Sequence, residues 1–255
     1  MIRLAGTVLD ITERKRAEEV QQRLQTALRR TEIMAAMGAL VGGVAHEVRN
    51  PLFGMTATLD ALEARCGERE EIEPYLGVLR GELNRLSELM RDLLEYGKPY
   101  SITLTPGSIA EAISEAVEAC SPLARSAEVT TITAGAPADA LVPMDRVRFR
   151  QVFENLIRNA IQISPRGGVV TVATRVVQAE DGSWVECSVT DQGPGFREED
   201  LSNIFDPFFS RRPGGTGLGL SIVQRVVEEH GGTVTAANRP EGGAVLTVWF
   251  PAESA

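Results

Sequence analysis

A chain of 255 residues is long enough for one large domain or two modest ones, each with its own core. With 26 lysines and arginines against 35 aspartates and glutamates, its net charge of −9 argues against a nucleic-acid footprint and offers no basic face to an anionic membrane. Three cysteines, Cys66, Cys120 and Cys187, odd in number and far apart, fit neither a disulfide framework nor a zinc-ligand pattern and indicate a reducing, cytoplasmic setting.

Residues 1–10 alternate in a strand-like way and end at Asp10-Ile11-Thr12. A strand with no partner in the chain reads as the tail of a larger domain, and Met1 directly before it reads as a truncation. Glu13-Arg14-Lys15-Arg16 then opens a charged helix, with Asp10 or Thr12 as N-cap. From Val20 the apolar residues alternate by four and three through Thr31, Gly38, Ala45, Val48, Leu52, Met55 and Leu59 to Leu62, a coiled-coil seam. Its longest uncharged stretch, Ile33 to Ala45, falls short of the roughly 20 residues a membrane helix needs, and no signal peptide precedes it.

Within this helix lies His46-Glu47-Val48-Arg49-Asn50-Pro51, holding one of only two histidines, on positions the heptad leaves outside. Asn50, four residues on, shares a helix face with the imidazole, and Glu47 sets a carboxylate beside it. The stretch presents a nucleophile or acid–base group on the wall of a bundle. Pro51 should bend the helix, and the small or polar core positions Thr31, Gly38 and Ala45 weaken it nearby. That weakness is either local packing tolerance or a bundle able to switch between two packings. Gly67 closes the helix as a C-cap. A second seam, Ile72, Leu76, Leu79, Leu83, Leu86, Met90 and Leu93, runs to Gly97 and Pro99. One helical hairpin buries such a seam poorly, and two would form a four-helix bundle, so a homodimer is expected.

After Pro106-Gly107 the pattern changes. Ile109–Ala124 reads as an amphipathic helix, Val129–Thr133 as a strand, and Asp145–Ile163 as a long helix. Val169–Val177 and Trp184–Asp191 read as strands around Asp181-Gly182, Ser221–His230 as a helix, and Val234–Ala237 with Ala244–Phe250 as a final strand pair. The mixture predicts an α/β sandwich of ordinary domain size.

Three constellations in this half carry chemistry. Asn155 and Asn159 share a face of the long helix, where their carbonyl oxygens could ligate a hard cation such as Mg²⁺, or simply face solvent. Asp191-Gln192-Gly193-Pro194-Gly195 ends a strand. The aspartate could accept a hydrogen bond from an exocyclic amine while the glycines let backbone approach a flat ring, or the segment is an ordinary Gly-Pro turn. Gly214-Gly215-Thr216-Gly217-Leu218-Gly219 runs into a helix, where backbone N–H groups can hold phosphates, and it matches neither a Walker A motif nor a dinucleotide fingerprint. The preceding Phe205-Asp206-Pro207-Phe208-Phe209 and Ser210-Arg211-Arg212-Pro213 read as a lid with a hydrophobic foot, or as core aromatics.

In this order and spacing the motifs resemble, from about residue 30 to the end, the sensor histidine kinases of two-component signalling. His46 to Pro51 resembles the phosphoacceptor box, Asn155 and Asn159 the asparagine box, and Asp191, Gly193 and Gly195 the first glycine box. Phe205 to Phe209 resembles the phenylalanine box, and Gly215, Thr216, Gly217, Leu218 and Gly219 the second glycine box. Residues 1–18 look like the last strand and exit helix of a PAS-type sensor. The resemblance implies four segments: a sensor remnant at 1–12, a coiled-coil signalling helix at 13–35, a dimerisation and phosphotransfer domain at 36–101, and an ATP-binding domain at 102–255. It implies autophosphorylation of His46 by ATP with Mg²⁺, then transfer to an aspartate of a response regulator receiver domain. Phosphatase action on that regulator is implied as well.

By the same resemblance Glu47 takes the imidazole proton, and Asn50 orients the phosphate and, in dephosphorylation, the water. Asn159 binds Mg²⁺ with Asn155 at the phosphates, Asp191 reads the adenine amine, and Thr216 closes over the phosphates. Related ATPases such as gyrase carry a glutamate at the position of Asn155, so only slow ATP hydrolysis is implied. Gln162 stands where a basic residue is common, with Arg166 or the Arg211-Arg212 pair as available replacements. His230 belongs to none of the boxes and reads as a helix C-terminal cap or dipole partner. Two other readings stay open, a nucleotide-binding dimeric scaffold without phosphate transfer and a gyrase-related ATPase.

Overall fold

The computed structural model describes residues 48, 51–64, 73–97, 102–135, 141–179, 182–212 and 215–252. The strand and charged helix expected at 1–35, the box residues His46, Glu47 and Asn50, and the Gly67 cap lie outside them. The chain divides into two units between Pro99 and Tyr100, and each is described by itself.

The first unit contributes two helices, α1 over 51–64 and α2 (Glu73–Gly97), and Val48 is helical as well. The expected bend at Pro51 involves residues 49 and 50, which are not described. Arg80 on α2 binds Asp60 at 2.9 Å and Glu63 on α1, tying the two helices together. The seam is buried on one side only. Leu52, Leu59 and Leu76 are buried, whereas Met55, Leu62, Leu79 and Leu86 are between 43% and 55% exposed. A single hairpin therefore satisfies about half of the stripe that its heptad spacing creates.

The second unit is a two-layer α/β sandwich. A short antiparallel pair, β1 (Thr105–Ser108) and β3 (Leu141–Met144), precedes a mixed five-stranded sheet in the order β2-β4-β5-β7-β6. The sheet strands are β2 (Thr130–Ala134), β4 (Val169–Ala179), β5 (Gly182–Thr190), β6 (Thr233–Asn238) and β7 (Ala244–Pro251). Only β2 and β4 run parallel, and the connection between them carries α4 (Arg146–Ile163). The helices α3 (Ile109–Ala127) and α5 (Gly219–Glu229) complete the second layer.

Strand alternation sets the two faces. Rows running Val172–Val189–Leu246 and Thr174–Cys187–Val248 across three strands are buried. They lie beneath Phe149, Phe153, Leu156 and Ile157 of α4 and Ile222, Val223, Val226 and Val227 of α5, which are buried as well. Burial pushes the Cys187 thiol up to about 12, so it behaves as a small apolar group. The opposite face carries Trp184, Glu186 and Trp249. Glu186 accepts both a bidentate Arg175 and the Trp249 indole N–H, and these bonds hold its carboxyl below the usual range.

Neither β1 nor β3 was expected from sequence, because each contains a proline, which removes a ladder donor. Pro106 stands opposite Pro143 in the register. A two-stranded ribbon has only one ladder, so a missing donor on its outer edge costs little.

Asp145 caps α4, accepting from Val147 N–H at 3.1 Å and Arg148 N–H at 3.2 Å. His230 completes this junction. Its Nε2 accepts from the Asp145 N–H at 3.0 Å, and Nδ1 meets the Val226 carbonyl at 2.7 Å, which requires the neutral ring protonated on Nδ1. The ring packs edge-on against Phe149. His230 is thus an uncharged bridge between the end of α5 and the start of α4, not a cation compensating a helix dipole.

Burial lowers the His230 pKa below its ordinary 6.5. The unfolded chain therefore takes up this proton first as pH falls. The stability it contributes is complete above pH 6.5 and is lost downward from there until the folded ring protonates. Urea midpoints at pH 7.5 and 5.5 should show a loss of at most about 1.4 kcal/mol per pH unit from this group, absent in His230→Gln.

Candidate nucleotide site

One helix, α4, forms a wall common to the whole site. Asp145 starts it, and the register then carries Asn155, Asn159 and Gln162 up the same face. Asn155 is buried, and its carbonyl accepts from Arg158 at 2.5 Å. The start of α5 meets this face. A Cβ added to Gly219 would lie 3.8 Å from Asn159 Nδ2 and 3.9 Å from Asn155 Oδ1. Gly219 therefore lets the first turn of α5, with its uncapped N–H groups, approach both amides. Leu218 is fully buried beneath it, and its N–H reaches Thr216 Oγ1 at 3.4 Å.

The Asp191 loop lies at the C-terminal end of α4. Asp191 is 5% exposed, and its Oδ1 accepts from Gly193 N–H at 2.8 Å and Ala244 N–H at 3.1 Å. Oδ2 takes part in neither bond and is left as an acceptor. Gly193 sits where a Cβ would come within 2.8 Å of the Ile163 carbonyl. Ile163 is 41% exposed beside it, an apolar edge fit for a flat ring. Gly243 presses on Asp191 from behind, where any Cβ would overlap the Asp191 carbonyl.

The Phe205–Arg212 segment touches the glycine loop and α4. Its foot is Ile204, 4% exposed, and none of the three phenylalanines is fully buried; Phe208 is 48% exposed. The aromatics are therefore not core. Phe208 holds φ +66, unusual for a bulky residue, with its N–H bonded to the Gly217 carbonyl at 2.9 Å. Arg211 makes a bidentate pair with buried Asp200 and lies over the Phe209 ring, and the Asp200 bonds raise its pKa. Arg212 donates to the Gln162 side-chain oxygen. Arg166 is spent on Glu128 at 3.1 Å. Among the described residues Arg212 meets no carboxylate within ion-pair range.

The structure thus brings together Asn155, Asn159 and Gly219, and separately Asp191, Gly193 and Gly195. Gly217 joins the second glycine box to the phenylalanine box. His46, Glu47 and Asn50 lie outside the described residues. Sequence reading missed Ile163 and Gly243, and also Asn238 and Arg239, whose side chains bond the Phe196 backbone and the Asp191 carbonyl. The Gly242-Gly243 pair was a turn signal, but nothing local announces that its far side supports Asp191.

The donor set bears on a divalent ion. Asn159 offers one neutral oxygen, and among the described residues no three His, Cys, Asp or Glu side chains cluster. Such a site suits Mg²⁺ arriving with phosphate oxygens and waters as its other ligands.

Comparison with known proteins identifies the family of each unit. Residues 36–99 match the His Kinase A (phospho-acceptor) domain, and residues 144–254 the histidine kinase-, DNA gyrase B- and HSP90-like ATPase family. The chain is 36% identical over 248 residues to the sensor histidine kinase ZraS of Klebsiella oxytoca, covering 97% of this chain and 53% of that protein. Full-length ShkA, solved with AMPPNP, superposes with TM-score 0.68 at 28% identity over 85% of this chain and 46% of that one. The catalytic domain of the histidine kinase ThkA superposes with TM-score 0.53 at 31% identity, over 58% of this chain and 95% of that domain. ThkA in complex with the response regulator protein TrrA gives TM-score 0.65 at 29% identity, over 97% and 69% of the two chains.

The chain belongs to the sensor histidine kinase family, with a phosphoacceptor helical hairpin followed by an ATPase-type α/β domain. It spans about half the length of the curated relatives it matches.

Proposed function

We propose that this chain is the kinase core of an ATP-dependent protein histidine kinase. In this reading His46 takes the γ-phosphate from ATP and passes it to a response regulator aspartate, and Asn50 supports removal of phosphate from that regulator. The observation that carries it is the convergence of Asn155 and Asn159 on the first turn of α5, beside an aspartate whose one oxygen is fixed and whose other is open.

Asn159 would hold Mg²⁺ with Asn155 beside the phosphates, and Asp191 Oδ2 would accept the adenine amine. Arg212, resting on a neutral amide, is the cation available to the outer phosphates. The backbone of Gly215 to Gly219, with Thr216, would close over them. Mg²⁺ would neutralise charge on the transferring phosphoryl group. The residues of this chain orient the nucleotide, exclude water and supply the nucleophile. Neutral imidazole is nucleophilic near pH 7, and Glu47 would accept its proton. Glu154, the carboxylate nearest the position of the glutamate in hydrolytic relatives, pairs with Arg150 at 3.1 Å along α4, which favours slow hydrolysis.

The half-exposed seam of α1 and α2 supports a homodimer in which two hairpins form a four-helix bundle. The ThkA–TrrA complex supports a receiver domain as partner. We assign residues 1–12 to the end of a PAS-type sensor, 13–35 to a signalling helix, 36–101 to the phosphotransfer domain and 102–255 to the ATP-binding domain. Among the described residues no helix is long and apolar enough to cross a membrane, and the thiols Cys120 and Cys187 suit a cytoplasmic setting.

Incubation with γ-labelled ATP and Mg²⁺ tests the reading. Label that survives alkali and is lost in acid is expected, and His46→Gln should carry none. Label persisting in that variant would overturn the assignment.

A further inference from the structure

Asn238 ends β6 and is exposed. Its carboxamide faces the backbone of Phe196, the residue after Gly195. The Phe196 N–H donates to Oδ1 at 2.7 Å, and Nδ2–H donates to the Phe196 carbonyl at 2.7 Å. One amide thus satisfies both backbone groups of one loop residue from 42 positions away. Gly195 holds φ +76, and a Cβ there would come within 2.7 Å of the same Oδ1. The neighbouring Arg239 reaches the Asp191 carbonyl with Nη1 at 3.4 Å. At the far side of the hairpin Ala244 N–H holds Asp191 Oδ1. The β6–β7 hairpin therefore grips the 191–196 loop at both ends.

An exposed side chain with two short, reciprocal bonds leaves no cavity when it is removed, so core packing does not explain it. The loop it holds contains two glycines and would otherwise sample many conformations. Reading an exocyclic amine through one carboxylate oxygen requires that oxygen to stay in place.

We propose that Asn238 is a positioning residue that sets the base specificity of the nucleotide cleft by tethering the Asp191–Phe196 loop to the β6–β7 hairpin. This rests on the reading of the cleft as an ATP site. The phosphates are served by α4 and the start of α5, so loss of the tether falls on recognition of the base alone. Binding must then order the loop as well as fill it.

The test uses the full chain with Mg²⁺ and measures affinity for ATP, GTP and inorganic tripolyphosphate, together with labelling rates. Asn238→Ala should weaken ATP about tenfold, the scale of two lost hydrogen bonds, and narrow the ATP-to-GTP ratio by a similar factor. Tripolyphosphate affinity and melting temperature should stay near wild type, and the labelling rate at saturating ATP should change by less than about twofold. Asn238→Asp keeps the acceptor for Phe196 N–H but opposes a carboxylate to its carbonyl, so it should do no better than alanine. Asn238→Ser, able to restore one bond, should recover part of the ratio. An unchanged ATP-to-GTP ratio in Asn238→Ala, or an equal loss of tripolyphosphate, would overturn the proposal. Failure of the wild-type chain to bind ATP at all would instead remove the ATP reading, and this proposal with it.

Discussion

Asp191→Asn should weaken ATP binding by about 100- to 1000-fold while leaving the melting temperature within a few degrees of wild type. The asymmetry follows from the two oxygens. Oδ1 serves the protein, accepting from Gly193 and Ala244 N–H groups, and an asparagine carbonyl can do the same. In the proposed site Oδ2 would accept from the adenine amine, and in the variant an NH₂ group takes its place, setting donor against that amine. The same donor matches a purine carrying a carbonyl at that position, so the ATP-to-GTP preference should fall steeply or reverse. Asp191→Ala behaves differently, because it also strands two N–H groups at a buried position. That variant should lose about 2–4 kcal/mol of stability as well. Isothermal titration with both nucleotides, paired with thermal melts, separates the two variants. An asparagine variant that bound ATP normally would show that Asp191 does not read the base.

The second large effect is expected at Gly217. It holds φ +69, and a Cβ there would overlap the carbonyl carbon of Phe208, itself held at φ +66 by the Gly217 carbonyl. Two residues in left-handed conformation thus lean on each other with no room for one carbon. Gly217→Ala carries the local strain of about 1–2 kcal/mol and must also push the phenylalanine segment off the glycine loop. Gly167 is the control, with φ +76 but nothing within 4 Å of an added Cβ. Gly167→Ala should lower stability by the strain alone and leave labelling intact. Gly217→Ala should cut ATP-dependent labelling at least about 100-fold while circular dichroism shows the domain folded. Equal behaviour of the two variants would mean that the Phe208–Gly217 contact has no part in the reaction.

Much of the second unit was legible because its signals are local. The helix read over Asp145–Ile163, with Asn155 and Asn159 four residues apart on it, and the strands read over Trp184–Asp191 and Ala244–Phe250 each rest on patterns within a few residues, and each stands within two residues of its expected bounds. What could not be read depends on distance in the chain. Asn238 meets Phe196 across 42 residues, Arg212 meets Gln162 across 50, and His230 meets Asp145 across 85. No spacing rule connects such pairs before the fold exists. His230 shows both sides: its place at a helix end announced the C-cap that it forms on α5, but not its charge state, since burial and the Asp145 N–H require a neutral ring rather than a dipole-compensating cation. In β1 and β3 the failure was of another kind, since proline is a sound argument against a central strand and a weak one in a two-stranded ribbon.

The helical hairpin was legible as a pattern, but its meaning was not. Heptad spacing marks Leu52, Met55, Leu59 and Leu62 alike, and only the structure divides them into residues covered by their own chain and residues left bare. That division is the physical form of the expectation that a second copy completes the core.

The placement of both tryptophans has a practical outcome. Trp184 and Trp249 are the only indoles in the chain, and both stand on the sheet face turned away from α3, α4 and α5. Their intrinsic emission will therefore follow the melting of the sheet and the integrity of the Glu186–Trp249 bond, while staying nearly silent when the cleft on the other side fills. An assay of occupancy needs a reporter on the helical side, and Ile163, exposed beside Gly193, is a suitable position for one.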